Sequence, residues 1–496
     1  MLGAVPRDER VVDFEVWAPA ASSLAVRVNG EEHALARTED GFWRGEAPAR
    51  HGDDYVYAVD GHELPDPASR WQPAGVRGPS RVLDTTQFDL APSGPTLEEL
   101  VLYELHVGTF TEEGTLDGAI RHLGALAELG VTAVEVMPIA TFPGTRGWGY
   151  DGLYTSAPHE AYGGPEAFAR FVGAAHEEGL GVVLDVVYNH VGPGSEALRA
   201  FGPYFTDRHE TFWGDALDYS QRGVREWAIQ NAEHWVRDYG VDGFRLDAVH
   251  VIFDDSPQHV LAELADRVRA IEPRALVTAE IETGDLRPIE EWGHDAQWAD
   301  ELHHQLHALL TGERENYYAN YGSLDGLAAQ LLREPAERLI VCSQNHDQVG
   351  NRAAGDRPAA DELRLRAAVL LFAPQTPLLF MGEEYGERRP FQFFTDHIDP
   401  AIAKATRVGR RREFAGFAGF SGEVPDPQAR STFEASKLDR SQADEGLRVF
   451  YRELLDLRRE LTREIEVEVD GSHLRLRRGN VELHADFDAK TAEVRR

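Results

Sequence analysis

From about residue 98 onward the chain alternates two kinds of segment: a short run of apolar residues, then a longer stretch with apolar residues at helical spacing. The runs are Leu100–His106, Ala133–Ile139, Gly181–Tyr188, Gly243–Val249, Leu276–Ile281, Ala296–Leu302, Leu339–Asn345 and Thr376–Glu383. Strands buried on both faces of a parallel sheet read as such runs. Eight of them separated by amphipathic segments predict a closed (β/α)8 TIM barrel of the α/β class. The spacing of Ala119, Leu123, Leu126 and Leu129, and of Trp227, Ile229, Ala232 and Trp235, predicts two of the intervening helices. The sixth run, with Asp295, Asp300 and Glu301 around it, fits the pattern least well.

The flanks follow a different rhythm. Val12–Trp17 and Ser23–Val28 alternate as strands do, and Asn29-Gly30 and Asp60-Gly61 are hairpin-turn signals. Residues 1–95 therefore read as an N-terminal β-sandwich, ending in a linker rich in Pro, Gly and Ser at Ala91–Pro95. The barrel is expected over 96–463, with weak periodicity from Arg407 to Asp444 predicting irregular structure and a closing helix over Leu447–Leu461. Residues 464–496 alternate again, as in Ile465–Val469 before a turn at Asp470-Gly471, and predict a short C-terminal β-unit.

Composition narrows the partners. With 50 basic and 85 acidic side chains the formal net charge is −35, which repels nucleic acid and anionic membrane surfaces. A neutral, hydroxyl-rich substrate tolerates it. Cys342, the single cysteine, lies in an apolar run and is expected in the core. The first eleven residues carry Arg7, Asp8, Glu9 and Arg10 where a secretory leader is apolar, and no stretch approaches the ~18 apolar residues of a membrane span. A soluble, cytoplasmic protein is the expectation.

Three carboxylates end barrel runs: Asp247 after Gly243–Leu246, Glu280 after Val277-Thr278-Ala279, and Asp347 after Asn345-His346. In a barrel all three emerge at the rim where active sites sit. Splitting an acetal needs a proton for the leaving oxygen and a group to meet positive charge at the anomeric carbon. Arg245 lies two residues before Asp247 and so points the same way. That pair suits an ionised nucleophile, and a buried structural ion pair looks the same in isolation. Glu280, two residues from Glu282, fits a general acid raised by burial and like charge; a surface glutamate is the alternative. Asn345-His346-Asp347 fits the gripping of sugar hydroxyls. No second histidine stands at ligand spacing, so no metal or other cofactor is expected. Asp185 and Asn189 share a face of the third strand and read as buried hydrogen-bonding groups, with His190 opening the loop. Tyr150 and Asp151 in the Gly-rich loop after the second strand suit stacking on a sugar ring and accepting from its hydroxyls, and Trp213, Trp292 and Trp298 are further stacking candidates.

Asp185–His190, Gly243–Asp247, Ala279-Glu280 and Asn345–Asp347, in this order, resemble the four signature regions of the α-amylase family of glycoside hydrolases. Tyr103–Phe110, Asp295–Trp298, Asn345–Arg352, Gly382–Gly386 and Pro390–His397 are similar to stretches of the maltooligosyltrehalose trehalohydrolases within it. The resemblance spans nearly the whole chain. It implies an immunoglobulin-like, carbohydrate-module-like N-terminal domain and a small C-terminal β-domain around the barrel. It also implies a retaining hydrolase that cuts the α-1,4 bond next to a terminal trehalose, with Asp247 as nucleophile, Glu280 as acid/base and Asp347 as transition-state stabiliser. Tyr150, Asp151, His190, Arg245, His250, His346, Arg352, Trp213 and Trp298 are then substrate-binding, and a maltooligosyltrehalose synthase is the metabolic partner. Ile281-Glu282 departs from the small polar residue expected after the acid. A glucan branching enzyme, or a non-catalytic carbohydrate-binding protein on the same fold, remains open.

Overall fold

The computed structural model describes residues 1–88, 95–96, 99–211, 214–282, 284–315, 318–414 and 424–496. Eight parallel strands close on themselves: β1 (Leu102–Leu105), β2 (Ala133–Val136), β3 (Gly181–Val186), β4 (Gly243–Leu246), β5 (Leu276–Ala279), β6 (Ala296–Trp298), β7 (Leu339–Cys342) and β8 (Thr376–Phe380), with β8 pairing back to β1 through Leu102 and Leu378. Each strand lies inside the run that predicts it, including the polar-flanked sixth. Register alternates inward and outward along each strand. Leu102, Ala133, Val183, Leu276, Ala296, Ile340, Cys342 and Leu378 fill the barrel with apolar side chains. Cys342 is thus a core residue, as expected.

The helices depart from expectation in two places. The apolar stripe through Ala119 and Leu129 is not one helix but two, Leu116–Ile120 and Leu123–Leu129, broken at Arg121 and His122. The stretch read as irregular begins inside a helix, Pro400–Phe414, that buries only Ala403, Arg410 and Phe414. So sparse an apolar face leaves almost no periodic signal. Residues 415–423 and all but the last residue of the expected linker Ala91–Pro95 lie outside the described residues. The predicted Trp227 helix spans Arg222–Tyr239, and the closing helix spans Glu445–Arg458.

Two antiparallel sheets precede the barrel, Val11–Trp17 and Phe42–Pro48 being central to one and Leu24–Val28 and Asp54–Val59 to the other. Phe14 meets Tyr55 edge-on across them, ring centroids 5.2 Å apart. The turn signals are met: Asn29, Gly30, Asp60 and Gly61 all have positive φ, the geometry of the tight hairpin that Asn-Gly and Asp-Gly favour. The chain's last four strands, Glu466–Asp470, His473–Arg478, Val481–Asp486 and Thr491–Arg495, form an antiparallel meander. It buries Leu474, Leu476 and Leu483, and Arg478 binds it to the barrel through the carbonyls of Phe372 and Ala373. No described helix is long and apolar enough to cross a membrane.

Candidate active site

Above the apolar layer the inward positions of the first four strands turn polar: Glu104 on β1, Glu135 on β2, Asp185 on β3 and Arg245 on β4. Arg245 is the hub. Its side chain is fully buried. Nη1 donates to Asp185 Oδ2 at 2.7 Å and Asp247 Oδ1 at 2.9 Å; Nη2 donates to Glu280 Oε2 at 2.6 Å and stands 4.0 Å from Asp347 Oδ2. The three carboxylates picked out at separate strand ends therefore converge on one guanidinium, a planar fork suited to more than one carboxylate. Trp298 packs against the other face of this fork, 4.4 Å from the guanidinium carbon to the ring centroid. Being only 5% exposed, Trp298 supports Arg245 and offers no platform for sugar, which corrects its expected role.

Each carboxylate has its own second partner. Asn189 donates from Nδ2 to Asp247 Oδ2 at 2.6 Å and to the Asp247 carbonyl at 2.8 Å. Asn189 was expected only to be buried and hydrogen-bonded; it holds the nucleophile candidate directly. The Ala248 N–H donates to Glu280 Oε2 at 2.9 Å. Ala248 adopts φ 41° and ψ 52°, a left-handed conformation costly for a residue with a Cβ, and this turn aims its N–H at Glu280. Glu280 Oε1 makes no hydrogen bond among the described residues. Glu282, expected to press on Glu280, is exposed to solvent; Arg245 and Ala248 reach Glu280 instead. Asn351 Nδ2 donates to Asp347 Oδ1 at 2.9 Å, and His346 Nε2 lies 3.3 Å from Oδ2.

His346 is held from behind. Its Nδ1 donates to Glu104 Oε1 at 2.5 Å and its backbone N–H to Oε2 at 2.8 Å. Burial works against its charge, but Asp347 and Glu104 push its pKa up to about 10. Nε2 then donates to the Tyr150 hydroxyl at 2.8 Å, which in turn donates to Asp185 Oδ2 at 2.6 Å. The Tyr150 ring stacks on His346, centroids 5.2 Å apart. Burial, partly offset by Arg245, pushes Asp185 up to about 7. Glu135, whose carboxylate oxygens are buried without a hydrogen-bond partner among the described residues, is pushed well above the usual range by burial and then by Glu104.

The remaining predicted residues divide. His190 sits behind the Tyr150 loop, its Nε2 donating to the Tyr150 carbonyl at 3.0 Å and its Nδ1 against Asn189 Oδ1; burial pulls it down to about 4. Asp151 follows Tyr150 and lies 3.8 Å from His397 Nε2. Arg352 lines the cleft, paired with Glu313 at 3.1 Å and Asp356 at 2.9 Å. His250, in the turn Val249–Val251, makes no hydrogen bond to the three carboxylates, and its Nδ1 is buried without a hydrogen-bond partner among the described residues. Trp292 stacks on His259, centroids 4.4 Å apart, away from the cleft. Trp213 lies outside the described residues. The described residues hold no cluster of metal-ligating side chains. The cleft itself is a cavity of about 730 Å³ into which Glu280 and Asp347 open. A buried cation beneath three carboxylates, two of which line the cleft, is equipped to split an acetal.

Residues 84–213 and 204–460 match the alpha amylase catalytic domain. The chain is 42% identical to malto-oligosyltrehalose trehalohydrolase from Saccharolobus solfataricus over 91% of this chain and 86% of that one. A solved structure from Salmonella typhimurium described as an alpha amylase superposes with a TM-score of 0.91 at 37% identity, covering 98% of this chain and 93% of the other. A 1,4-alpha-glucan branching enzyme from Bacillus cereus is 28% identical over 77% of this chain and 68% of its own length.

Proposed function

The chain belongs to the malto-oligosyltrehalose trehalohydrolases of the alpha-amylase family, and from that membership we propose how its side chains divide the reaction. It is a glycoside hydrolase that cleaves the α-1,4-glucosidic bond next to the terminal trehalose of maltooligosyltrehalose and releases trehalose. The branching enzyme is the more distant relative.

Glu280 is the general acid. Its Oε2 is occupied by Arg245 and Ala248, leaving Oε1 to carry the proton toward the glycosidic oxygen. As the bond breaks, Asp247 attacks the anomeric carbon with a carboxylate oriented by Arg245 and Asn189, trehalose leaves, and a glycosyl ester forms. Glu280, now deprotonated, takes a proton from water, which displaces Asp247 and frees the shortened maltooligosaccharide. Asp347 and the network through His346 and Tyr150 hold the ring and meet the positive charge of the oxocarbenium-like transition state.

The observation that carries this division is Arg245 bridging Asp247 and Glu280 through its two terminal nitrogens. Two carboxyl groups held on one guanidinium are compatible with the ~5–5.5 Å spacing of a retaining pair. Incubation with maltooligosyltrehalose tests it: free trehalose in step with a shortened glucan is expected, and new α-1,6 branches in place of trehalose would assign the chain to transfer. We extend the proposal to a cytoplasmic setting shared with a maltooligosyltrehalose synthase, since this substrate requires a glucan whose reducing end is already converted to trehalose. Co-fractionation of the two activities with cytoplasmic markers checks that setting.

A further inference from the structure

Besides the three carboxylates assigned above, the cavity beside Glu280 and Asp347 has a further acid in its wall, Asp300, which the steps above do not use. It follows β6 closely and so stands between Glu280 at the end of β5 and Asp347 just past β7. Its surroundings differ from those of the other three. Asp247, Glu280 and Asp347 each lie within 4.0 Å of an Arg245 nitrogen. Among the described residues no basic side chain comes that close to Asp300. Two amides reach it at long range, Gln348 Nε2 at 3.2 Å and Asn345 Nδ2 at 3.4 Å, with the Cys342 thiol at 4.0 Å.

The charges that act most on Asp300 are negative, Glu280 from β5, Asp347 from the β7 turn and Glu301 from its own helix; of the two arginines that line the same cavity, Arg314 and Arg352, the latter is held by Glu313 and Asp356. His304, which shares the Gln348 amide, is neutral because burial pulls it down to about 4. Burial first, then Asp347 and Glu280, pushes Asp300 up to about 7. Below about pH 7 a carboxyl group so placed keeps its proton, and a neutral carboxyl group, unlike a carboxylate, has a hydrogen bond to give.

We propose that Asp300 is a substrate-contacting residue that acts as a neutral carboxylic acid, donating a hydrogen bond to a hydroxyl of the glucan bound across Glu280 and Asp347. This role rests on the assignments of Glu280 and Asp347 given above. It lets Asp300 stand beside Glu280 without adding a negative charge next to the proton that Glu280 must release.

The test compares kcat/KM on maltooligosyltrehalose for the wild type, D300N and D300A between about pH 6 and 8. An amide keeps an uncharged donor of similar shape, so at about pH 6 D300N loses several-fold and D300A loses ~10-fold more, the size of one hydrogen bond. The ratio of D300N to wild type then rises with pH, because the wild-type donor ionises and the amide does not. Infrared difference spectra between the two pH values give a second readout, a protonated-carboxyl band lost on ionisation in the wild type and missing from D300N. A ratio constant with pH, D300A equal to wild type, or D300N no better than D300A overturns the role. An inactive E280Q beside a fully active D300A removes Asp300 alone, whereas a fully active E280Q removes the assignments beneath it.

Discussion

Glu104 grips His346 twice, accepting from Nδ1 at 2.5 Å and from the backbone N–H at 2.8 Å, across 242 residues of sequence. The contact exists because β1 and β7 flank β8 in the closed barrel, and it fixes both the ring and the charge of the histidine that meets Tyr150 and Asp347.

Glu104→Gln removes one of the charges that raise His346, so its proton is lost at lower pH. The sign follows from the shift. With a folded pKa of about 10 against an ordinary value near 6.5, the stability His346 contributes is complete below about pH 6.5 and is lost as pH rises toward 10. In E104Q that contribution is smaller and its loss is complete at a lower pH, and kcat falls at its alkaline end. Imidazole nitrogen shifts followed by NMR from neutral to alkaline pH check this; an unmoved His346 titration contradicts it.

Asn189→Ala leaves Asp247 Oδ2 without its donor. Loss of one oriented donor to a reacting carboxylate is expected to cost ~10²–10³ in kcat, with KM little changed and the far-ultraviolet circular dichroism preserved. A fall confined to KM would make Asn189 a binding residue instead.

Arg245→Lys replaces the fork by a single ammonium that cannot serve Asp185, Asp247 and Glu280 together. Removing a partner from so buried a set costs ~3–5 kcal/mol, so melting temperature and activity fall together. A variant that melts like the wild type would show the hub to be dispensable for the fold.

His106, His190 and His294 behave in the opposite sense to His346. Burial holds them at about 4, 4 and 3, so the unfolded chain binds more protons than the native one below about pH 6.5. Stability is complete above that value and declines as pH falls toward 4. Melting temperatures measured across this window are expected to drop steadily; a flat profile means these rings are not buried neutral.

The barrel was legible because a strand buried on both faces leaves a continuous apolar run, and the three carboxylates because each ends one. Arg245 was legible as a neighbour of Asp247, two residues away on the same face. Its reach to Glu280 and Asp185 was not, because that depends on which strands adjoin β4. Glu104 sits in an apolar run with no local mark of its partner, and only barrel closure reveals it. Asn189 carried a signal, its spacing of two residues from Val187 and four from Asp185, but spacing does not say that Asp247 is what it touches. Trp298 was misread for the same reason: an aromatic at a strand end serves as platform or support according to what lies beneath it, here Arg245. The helix Pro400–Phe414 escaped because it buries too few side chains to leave a stripe.

The most direct measurement is a time course of anomeric proton NMR on maltooligosyltrehalose mixed with the protein. Trehalose equimolar with newly released maltooligosaccharide, whose reducing end appears first as the α-anomer, is the predicted result, absent in Asp247→Ala. A β-anomer appearing first would contradict the retaining pair of Asp247 and Glu280, and glucan shortening without trehalose would contradict the function itself.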